Sequence, residues 1–365
     1  DTGGGFVNLA NGGVYSNVTT ATMSISNVLG KGGYRYRAVV SGTCAPAATS
    51  TSATLTEQKN PVVSVPPSNS TICESNNTTF SVTATGTGLT YQWQESTGGP
   101  FANVSNGGVY SGVTTSTLTL TGVTAGMTGN QYRVVITGTC APTTSAAGTL
   151  TVNTLPVVTV NPTDVTVCEG TGTTFSVTAT GTGVTYQWQE DSGGGFVNLA
   201  NGGVYSNVTT ATLGISNVLG KGGYRYRAVV SGTCAPAATS TSATLTEQKN
   251  PVVTVPPSNA TICESNNTTF SVTATGTGLT YQWQESTGGP FANVSNGGVY
   301  SGVTTSTLTL TGVTSGMTGN QYRVVITGTC APTTSAAGTL TVNTLPVVTV
   351  NPTDVTVCEG TGTSF

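Results

Sequence analysis

The sequence repeats itself, and this repetition constrains the possible folds more than any single motif does. Residues 1–175 recur as residues 191–365 with only seven substitutions, so the chain contains a repeat of 190 residues. A shorter period of 95 residues lies inside that repeat. It relates seven tryptophan and cysteine residues: Trp93, Trp188, Trp283, Cys73, Cys168, Cys263 and Cys358. A fixed period is typical of repeated structural units, and here it indicates two alternating domain types, called type A and type B.

The register of the repeat predicts the domain boundaries. Asp1 aligns with Asp191 in the middle of a type B domain, and Phe365 aligns with Phe175 at the start of a core strand. We therefore expect a piece of a longer polypeptide. The expected segments are 1–57 (the C-terminal part of a domain), 61–152 (type A), 155–247 (type B), 250–342 (type A) and 345–365 (the N-terminal part of a domain).

Composition indicates an all-β fold. The chain holds 49 glycines, is rich in threonine, serine and valine, and has no sustained helical periodicity. Apolar residues alternate with Thr and Ser in several runs, as at Phe80, Val82 and Ala84, which excludes disorder. The net charge of −3 leaves no basic surface for nucleic acid, and no apolar run is long enough to span a membrane.

Residues 61–152 show the pattern of a β-sandwich, with seven or more short strands between Gly, Pro and Asn turns. Trp93 lies in the strand expected to be strand C. Tyr132 ends the segment Gly129-Asn130-Gln131-Tyr132, which resembles the tyrosine corner of immunoglobulin domains. We therefore predict tandem immunoglobulin-like β-sandwich domains in a head-to-tail rod. The residues predicted to lie in the cores are Trp93, Trp188, Trp283 and Tyr132.

No constellation of residues supports catalysis, a cofactor or a metal. Histidine is absent, and Glu190-Asp191, the only adjacent acidic pair, is interpreted as part of a solvated turn. Lys31 and Lys221 occur in only one domain type and are interpreted as solvated side chains in Gly-rich turns, with an intramolecular Lys–Asn cross-link as the alternative. Asp164 and Glu169 lie near a domain junction, but two carboxylates are too few for a calcium site. The sequence therefore predicts a protein that is not an enzyme.

The eight cysteines, two per 95-residue unit, predict disulfides and an oxidising compartment. Pairing within domains would join Cys73–Cys140, Cys168–Cys234 and Cys263–Cys330. Strand direction favours pairing across domains, as Cys73–Cys234 and Cys168–Cys330. A cysteine just before strand B and one just after strand F lie at opposite ends of a sandwich, about 20 Å apart, whereas a disulfide needs Cα atoms within about 7 Å. Both pairings stay open from the sequence.

Three runs carry a resemblance that covers the whole chain: TICESNNTTFSVTATGTGLTYQWQ, VYSGVTTSTLTLTGV and YRVVITGTCAPTTSAAGTLTV. They resemble the immunoglobulin-like repeats of giant surface proteins of Bacteroidota. The resemblance implies a client of the type 9 secretion system, displayed at the cell surface, with roles in adhesion, gliding or extracellular filaments.

These observations predict a non-enzymatic structural or adhesive segment of a long extracellular repeat protein. It would act as a rod-like spacer, or as a filament or sheath component, on a bacterial surface. The expected partners are other copies of the chain, or glycans and proteins of the cell surface. The alternative is a carbohydrate- or protein-binding module that uses loops at the sandwich ends. Two outcomes at Tyr15, Tyr110, Tyr205 and Tyr300 would distinguish these functions. An open patch of these rings would favour the binding module, whereas packed rings would favour the spacer.

Overall fold

The computed structural model describes all residues, 1–365, and contains no α-helix. The chain divides into two compact units, which are described separately. The first comprises Asp1–Pro156, Gly181–Val184 and Gly232–Ala237. The second comprises Val157–Thr180, Thr185–Ser231 and Ala238–Phe365. No helix is long and apolar enough to cross a membrane.

The first unit contains one complete sandwich, preceded by six two-residue strands. Those six strands pair only in twos and are β1 (Tyr15–Ser16), β2 (Ser24–Ile25), β3 (Arg35–Tyr36), β4 (Val39–Val40), β5 (Ala48–Thr49) and β6 (Ala53–Thr54). The first sandwich, which also has a 3₁₀ turn at Ala125–Met127, consists of β7 (Val62–Val65), β8 (Ser70–Cys73), β9 (Thr78–Ser81), β10 (Thr83–Thr85), β11 (Thr90–Ser96), β12 (Ala102–Asn103), β13 (Tyr110–Ser111), β14 (Thr117–Leu120), β15 (Gln131–Thr137), β16 (Thr143–Thr144) and β17 (Gly148–Asn153).

The second unit contains two sandwiches with the same strand pattern. The second sandwich consists of β18 (Val157–Val160), β19 (Val165–Cys168), β20 (Thr173–Ser176), β21 (Thr178–Thr180), β22 (Thr185–Asp191), β23 (Val197–Asn198), β24 (Tyr205–Ser206), β25 (Thr212–Ile215), β26 (Arg225–Ser231), β27 (Ala238–Thr239) and β28 (Ala243–Gln248). The third, with a 3₁₀ turn at Ser315–Met317, consists of β29 (Val252–Val255), β30 (Ala260–Cys263), β31 (Thr268–Ser271), β32 (Thr273–Thr275), β33 (Thr280–Ser286), β34 (Ala292–Asn293), β35 (Tyr300–Ser301), β36 (Thr307–Leu310), β37 (Gln321–Thr327), β38 (Thr333–Thr334) and β39 (Gly338–Asn343). Residues 344–365 form no strand.

Each sandwich pairs a large sheet with smaller ones. In the first, the large sheet has the order β12-β11-β15-β17-β8, with β16 also paired to β15, and the smaller sheets are β13-β14-β9 and β10-β7. All pairs in these sheets are antiparallel except β17 with β8, which run parallel with Asn153 opposite Cys73. The last strand of the domain therefore ends beside the cysteine near its start. The same parallel pair places Cys168 opposite Gln248 and Cys263 opposite Asn343.

The cores follow from the period-two alternation of the strands. In β15, for example, Tyr132, Val134 and Ile136 are fully buried, while the residues between them face outward. Each core centres on a tryptophan with no exposed surface, at Trp93, Trp188 or Trp283. Each indole N–H donates to a backbone carbonyl at 2.9 Å, so that its polar atom is satisfied inside the core. The all-β, tandem immunoglobulin-like prediction is confirmed.

The alternating run from Phe80 to Ala84 is divided between two strands, β9 and β10, in the structure. β9 pairs with β14, whereas β10 pairs with β7, so the chain changes partner at Val82. The amide of Val82 donates to the carbonyl of Ser116. The change of partner lets one run of alternating residues contribute to two sheets.

Candidate functional site at the domain junctions

The chain leaves each sandwich beside a cysteine of that sandwich. Cys73 ends β8 opposite Asn153, the last residue of β17, and forms a disulfide with Cys234, with the Cα atoms 5.8 Å apart. Cys234 lies in the bend that follows β26, and its Sγ atom is 3.6 Å from the carbonyl oxygen of Asn153. The disulfide therefore spans the point at which one sandwich ends and the next begins.

The second unit repeats this arrangement. Cys168 ends β19 opposite Gln248 and forms a disulfide with Cys330, again with the Cα atoms 5.8 Å apart. The Sγ atom of Cys330 is 3.6 Å from the carbonyl oxygen of Gln248. The other four cysteines, Cys44, Cys140, Cys263 and Cys358, are unpaired.

Hydrogen bonds hold the first junction on both sides of its disulfide. The carboxylate of Glu74 accepts from the amide of Leu155 at 2.7 Å. The amide of Thr154 donates to Oγ1 of Thr182 at 2.9 Å, and the amide of Thr182 donates to the carbonyl of Thr154 at 3.2 Å. Since buried or half-buried amides are costly to leave unpaired, these bonds fix the path of a linker that belongs to no strand.

The second junction has the same bonds and adds two ion pairs. The carboxylate of Glu169 accepts from the amide of Asn250 at 2.9 Å, and the amide of Lys249 donates to Oγ1 of Thr277 at 2.8 Å. The ammonium of Lys249 lies 3.0 Å from Glu247 and 3.3 Å from Glu169. Hydrogen bonds to Glu247 and then Glu169 raise the pKa of Lys249.

Glu247 is itself held by the turn that precedes β26. Burial raises its pKa, but hydrogen bonds from the amide of Gly220, the ammonium of Lys249 and the amide of Gly222 together lower it below the ordinary value. Glu247 therefore couples the Gly-rich turn of the second sandwich to the linker that follows β28.

Residues 58–61 form similar contacts around an unpaired cysteine. The amide of Lys59 donates to Oγ1 of Thr87 at 2.9 Å, and the hydroxyl of Thr139 donates to the side chain of Gln58 at 2.9 Å. The Sγ atom of Cys140 is 3.6 Å from the carbonyl oxygen of Gln58, as Cys330 is from Gln248. The threonine contacts therefore form with or without a disulfide.

A second cluster lies between the sheets of every sandwich. In the first, the carboxylate of Glu95 accepts from the hydroxyls of Tyr110 (2.6 Å) and Tyr132 (2.7 Å) and from the amide of Asn130 (2.8 Å). Burial and then the bond to Glu95 raise the pKa of Tyr110 to about 12. Burial, followed by the bonds to Tyr110 and Glu95, also raises the pKa of Tyr132. All three donors bond to Oε1 of Glu95, which is the arrangement of a structural anchor.

In the type B sandwich, Lys221 takes the role of third donor that Asn130 has in this cluster. The carboxylate of Glu190 accepts from the hydroxyls of Tyr205 and Tyr226 and lies 3.5 Å from the ammonium of Lys221. That ammonium sits over the rings of Tyr205 and Tyr224, at 4.7 and 5.0 Å from their centroids. The side chain of Lys221 is only 17% exposed, so the interpretation of Lys221 as a solvated residue is wrong.

The interpretation of Glu190-Asp191 as a solvated pair is also wrong. Asp191 is 3% exposed, accepts from the amides of Gly193 (2.8 Å) and Gly195 (2.9 Å), and pairs with Arg225. These amides, and then Arg225, lower the pKa of Asp191. The register of β22 with β26 places Asp191 opposite Arg225, which sequence spacing alone does not reveal.

Three of the four tyrosines considered for ligand binding are packed against a core. Tyr110, Tyr205 and Tyr300 are half-buried against the cores, and each hydroxyl donates to a core glutamate. The hydroxyl of Tyr15 lies 3.3 Å from that of Tyr36. The rings of Tyr110, Tyr205 and Tyr300 form no open aromatic patch, whereas Tyr15 lines a cavity together with Phe6, Tyr34 and Tyr36.

The hydrogen-bonding role of the junction glutamates, Glu74 and Glu169, is what the sequence-based reasoning missed. Glu74 and Glu169 each follow a disulfide cysteine, and the Cys-Glu dipeptide recurs at every 95-residue step, which was the available signal. Asp164 and Glu169 do not share a site. Asp164 accepts from the amide of Thr244 at 2.7 Å, whereas Glu169 accepts from the amide of Asn250 at the junction.

Comparison with known proteins identifies a family. The profile described as "Domain of unknown function (DUF8696)" matches residues 64–154 and 253–344, which fall on the first and third sandwiches. These matches cover half of the chain, and the chain belongs to this family. No curated protein matches it.

Solved structures are similar in fold. An I-band fragment of titin is 17% identical with a TM-score of 0.57, over 79% of this chain and 100% of its own length. An E-to-A mutated variant of a three-immunoglobulin titin structure is 18% identical with the same TM-score, over 78% of this chain and 99% of its own. At these identities the similarity shows tandem immunoglobulin-like domains and nothing finer.

Proposed function

We propose that the chain is a non-enzymatic structural segment of an extracellular repeat protein, acting as a rod-like spacer or a filament or sheath component at a bacterial surface. The observation that carries the proposal is the disulfide across each of two successive junctions, Cys73–Cys234 and Cys168–Cys330. We place the complete domains at 61–152, 155–247 and 250–342.

The compartment follows from the chemistry of the junctions. Disulfides between sandwiches persist only where thiols are not continuously reduced, which favours an extracellular location. The bacterial surface is the finer part of the proposal, and it rests on the resemblance of the repeats to those of giant surface proteins.

The mechanical part of the proposal rests on the linkers. Asn153-Thr154-Leu155-Pro156 and Gln248-Lys249-Asn250-Pro251 contain proline and no glycine, whereas flexible linkers are rich in glycine and serine. Each has amides donating to the side chains of both flanking sandwiches. A linker fixed in this way, with a disulfide beside it, suits a stiff connection.

Near-identical repeats also suit a spacer, because length matters there more than a unique pocket does. The alternative, a binding module using loops at the sandwich ends, gains no support from the packed tyrosines. The adhesive role, with copies of the chain or surface glycans and proteins as partners, stays part of the proposal.

Antibody labelling of intact source cells tests the location. An antibody raised against the full chain should label intact cells as strongly as permeabilised ones, because the repeats are exposed. A control antibody against a cytoplasmic protein should label only permeabilised cells. Labelling of the repeats that requires permeabilisation would contradict the proposal.

A further inference from the structure

Every 95-residue unit contains the turn Asn-Gly-Gly-Val-Tyr-Ser, which lies between β12 and β13 in the first sandwich. Its asparagine is exposed in all four copies, at Asn11, Asn106, Asn201 and Asn296. Asparagine followed by glycine loses its side-chain amide more readily than other asparagines do. The reason is that glycine has no side chain to keep its backbone nitrogen away from the carboxamide. These turns therefore carry a chemically labile dipeptide at the surface of every sandwich.

The fold holds both reacting groups of this dipeptide in hydrogen bonds. Oδ1 of Asn106 accepts from the amide of Val113 at 3.2 Å. The amide of Gly107 donates to the carbonyl of Tyr110 at 2.9 Å. Val113 is buried, and its carbonyl accepts from the amide of Trp93 at 2.9 Å. The carboxamide is thereby fixed to a residue that the core itself holds in place.

The other two sandwiches repeat these bonds. In each, the carbonyl of the equivalent buried valine accepts from the amide of the core tryptophan at 2.9 Å. The equivalent turn bonds join Asn201 to Val208 (3.1 Å), Gly202 to Tyr205 (2.9 Å), Asn296 to Val303 (3.2 Å) and Gly297 to Tyr300 (2.9 Å). Both domain types therefore restrain the dipeptide in the same way.

We propose that each Asn-Gly turn is a modification site that is closed in the folded sandwich and opens when that sandwich unfolds. In the reaction, the backbone nitrogen of the glycine loses its proton and bonds to Cγ of the asparagine, and the Cγ–Nδ2 bond breaks with release of ammonia. Water then opens the resulting ring at either carbonyl, which gives aspartate or isoaspartate, and no other reactant is needed. In the folded turn, the glycine proton is donated to a tyrosine carbonyl and the carboxamide is held by a valine amide, so both groups must first be released.

The isoaspartate product marks an unfolded sandwich permanently. Its main chain runs through the former side chain and so gains a carbon atom, which prevents the bond to the valine amide from forming in the same register. Aspartate, in contrast, keeps an acceptor oxygen in the place of the asparagine Oδ1. A sandwich that has unfolded and reacted to isoaspartate should therefore refold without the link between its turn and the residue bonded to its core tryptophan.

Incubation of the full oxidised chain in mildly alkaline buffer, with and without guanidinium chloride, tests this proposal. Peptide mass spectrometry follows the conversion at Asn106, Asn201 and Asn296. The conversion should be roughly ten-fold or more slower in the native protein, because two hydrogen bonds must open before the reaction. A synthetic peptide of the turn, kept in the same two buffers, corrects for the effect of the denaturant on the chemistry. Corrected rates that are equal, or faster in the native protein, would overturn the proposal.

The variant Trp188→Ala sharpens the test, because it destabilises only the second sandwich. Conversion at Asn201 should become faster in this variant, while Asn106 and Asn296 in the same molecule serve as controls. Hydrogen exchange on the same sample reports whether the second sandwich has lost its protection. Lost protection without faster conversion at Asn201 would overturn the proposal. Asn201→Gln, which lengthens the side chain, should remove the signal at that position alone and so verifies its assignment.

Discussion

Two linkers with the same sequence, Glu-Gln-Lys-Asn-Pro, lie at residues 57–61 and 247–251, and only the second has a disulfide beside it. In both, the lysine amide donates to a threonine hydroxyl, and the glutamine side chain accepts from another threonine. Only Lys249 forms ion pairs, and only Asn250 donates to a glutamate. The threonine contacts thus involve only the linker and the sandwich after it, whereas the disulfide, the bond to Asn250 and one ion pair of Lys249 involve Cys168, which ends β19, and Glu169, which follows it.

Removing the disulfide should have the largest effect, because it breaks the covalent link across the junction. In the loop-entropy model, opening a loop of 162 residues destabilises the folded state by about 5 kcal/mol. The variant Cys168→Ser/Cys330→Ser should lose that much in unfolding free energy, measured by denaturant-dependent hydrogen exchange in the second unit. Cys140→Ser serves as the control. A loss no greater than that of Cys140→Ser would contradict the account.

Replacing the core tryptophan of the second sandwich tests whether sandwiches joined by a disulfide unfold together or independently. Trp188→Ala should destabilise the second sandwich by about 3–5 kcal/mol, through the lost ring and the cavity left behind. The amides of β33 and β37 in the third sandwich should keep their protection in hydrogen exchange, since repeat stability is a sum of local and junction terms. Simultaneous loss of protection in both sandwiches would show that the junction couples them fully.

Neutralising the junction glutamate should have a smaller effect. Glu169→Gln weakens the bond to the amide of Asn250 and removes an ion pair with Lys249, and should cost about 1–2 kcal/mol. The expected readout is faster exchange of the Asn250 amide, with the Lys249 amide, bonded to Thr277, much less affected. The matched control is Glu359→Gln, at an exposed position in the segment without strands. Equal exchange of Asn250 in both variants would refute the role of Glu169.

Acid should destabilise the second sandwich, which is of type B, more than the first, which is of type A. The pKa values of Asp191 and Glu247 are lowered in the second sandwich, where the first has Ser96 and Val152 at the equivalent strand positions. A carboxyl group whose pKa is lower in the folded than in the unfolded state stabilises the fold at pH values above its unfolded-state pKa of about 4. This stabilisation is lost as the pH falls through the folded-state pKa. Between about pH 5 and 2, hydrogen exchange should report a greater loss of protection in the second sandwich than in the first. Equal losses would contradict this assignment.

Much of the fold could be predicted from the sequence, because alternation within strands encodes which face is buried. The strand containing Tyr132, Val134 and Ile136 is the clearest case. The 95-residue period also gives the number of domains. Strand direction favours disulfides between sandwiches, although the residues alone leave two pairings open.

The charged side chains could not be placed in the same way. Asp191 is buried because β22 lies beside β26, which brings Arg225 to it from 34 residues away, and Lys221 is buried because its turn folds over Tyr205 and Tyr224. Local composition predicts solvation for all of these, since charged residues in Gly-rich turns are usually exposed. The burial of these side chains becomes evident only from the pairing of strands and turns in the folded structure.

Non-reducing peptide mapping tests the pairing of the junction cysteines. The protein is purified without reductant, its unpaired thiols are blocked before digestion, and the disulfide-linked peptides are identified by mass spectrometry. We expect peptides that join Cys73 to Cys234 and Cys168 to Cys330, with Cys140 and Cys263 carrying the blocking group. Peptides that join Cys73 to Cys140, Cys168 to Cys234 or Cys263 to Cys330 would contradict it, because the disulfides would then lie within domains and no junction would be covalently closed.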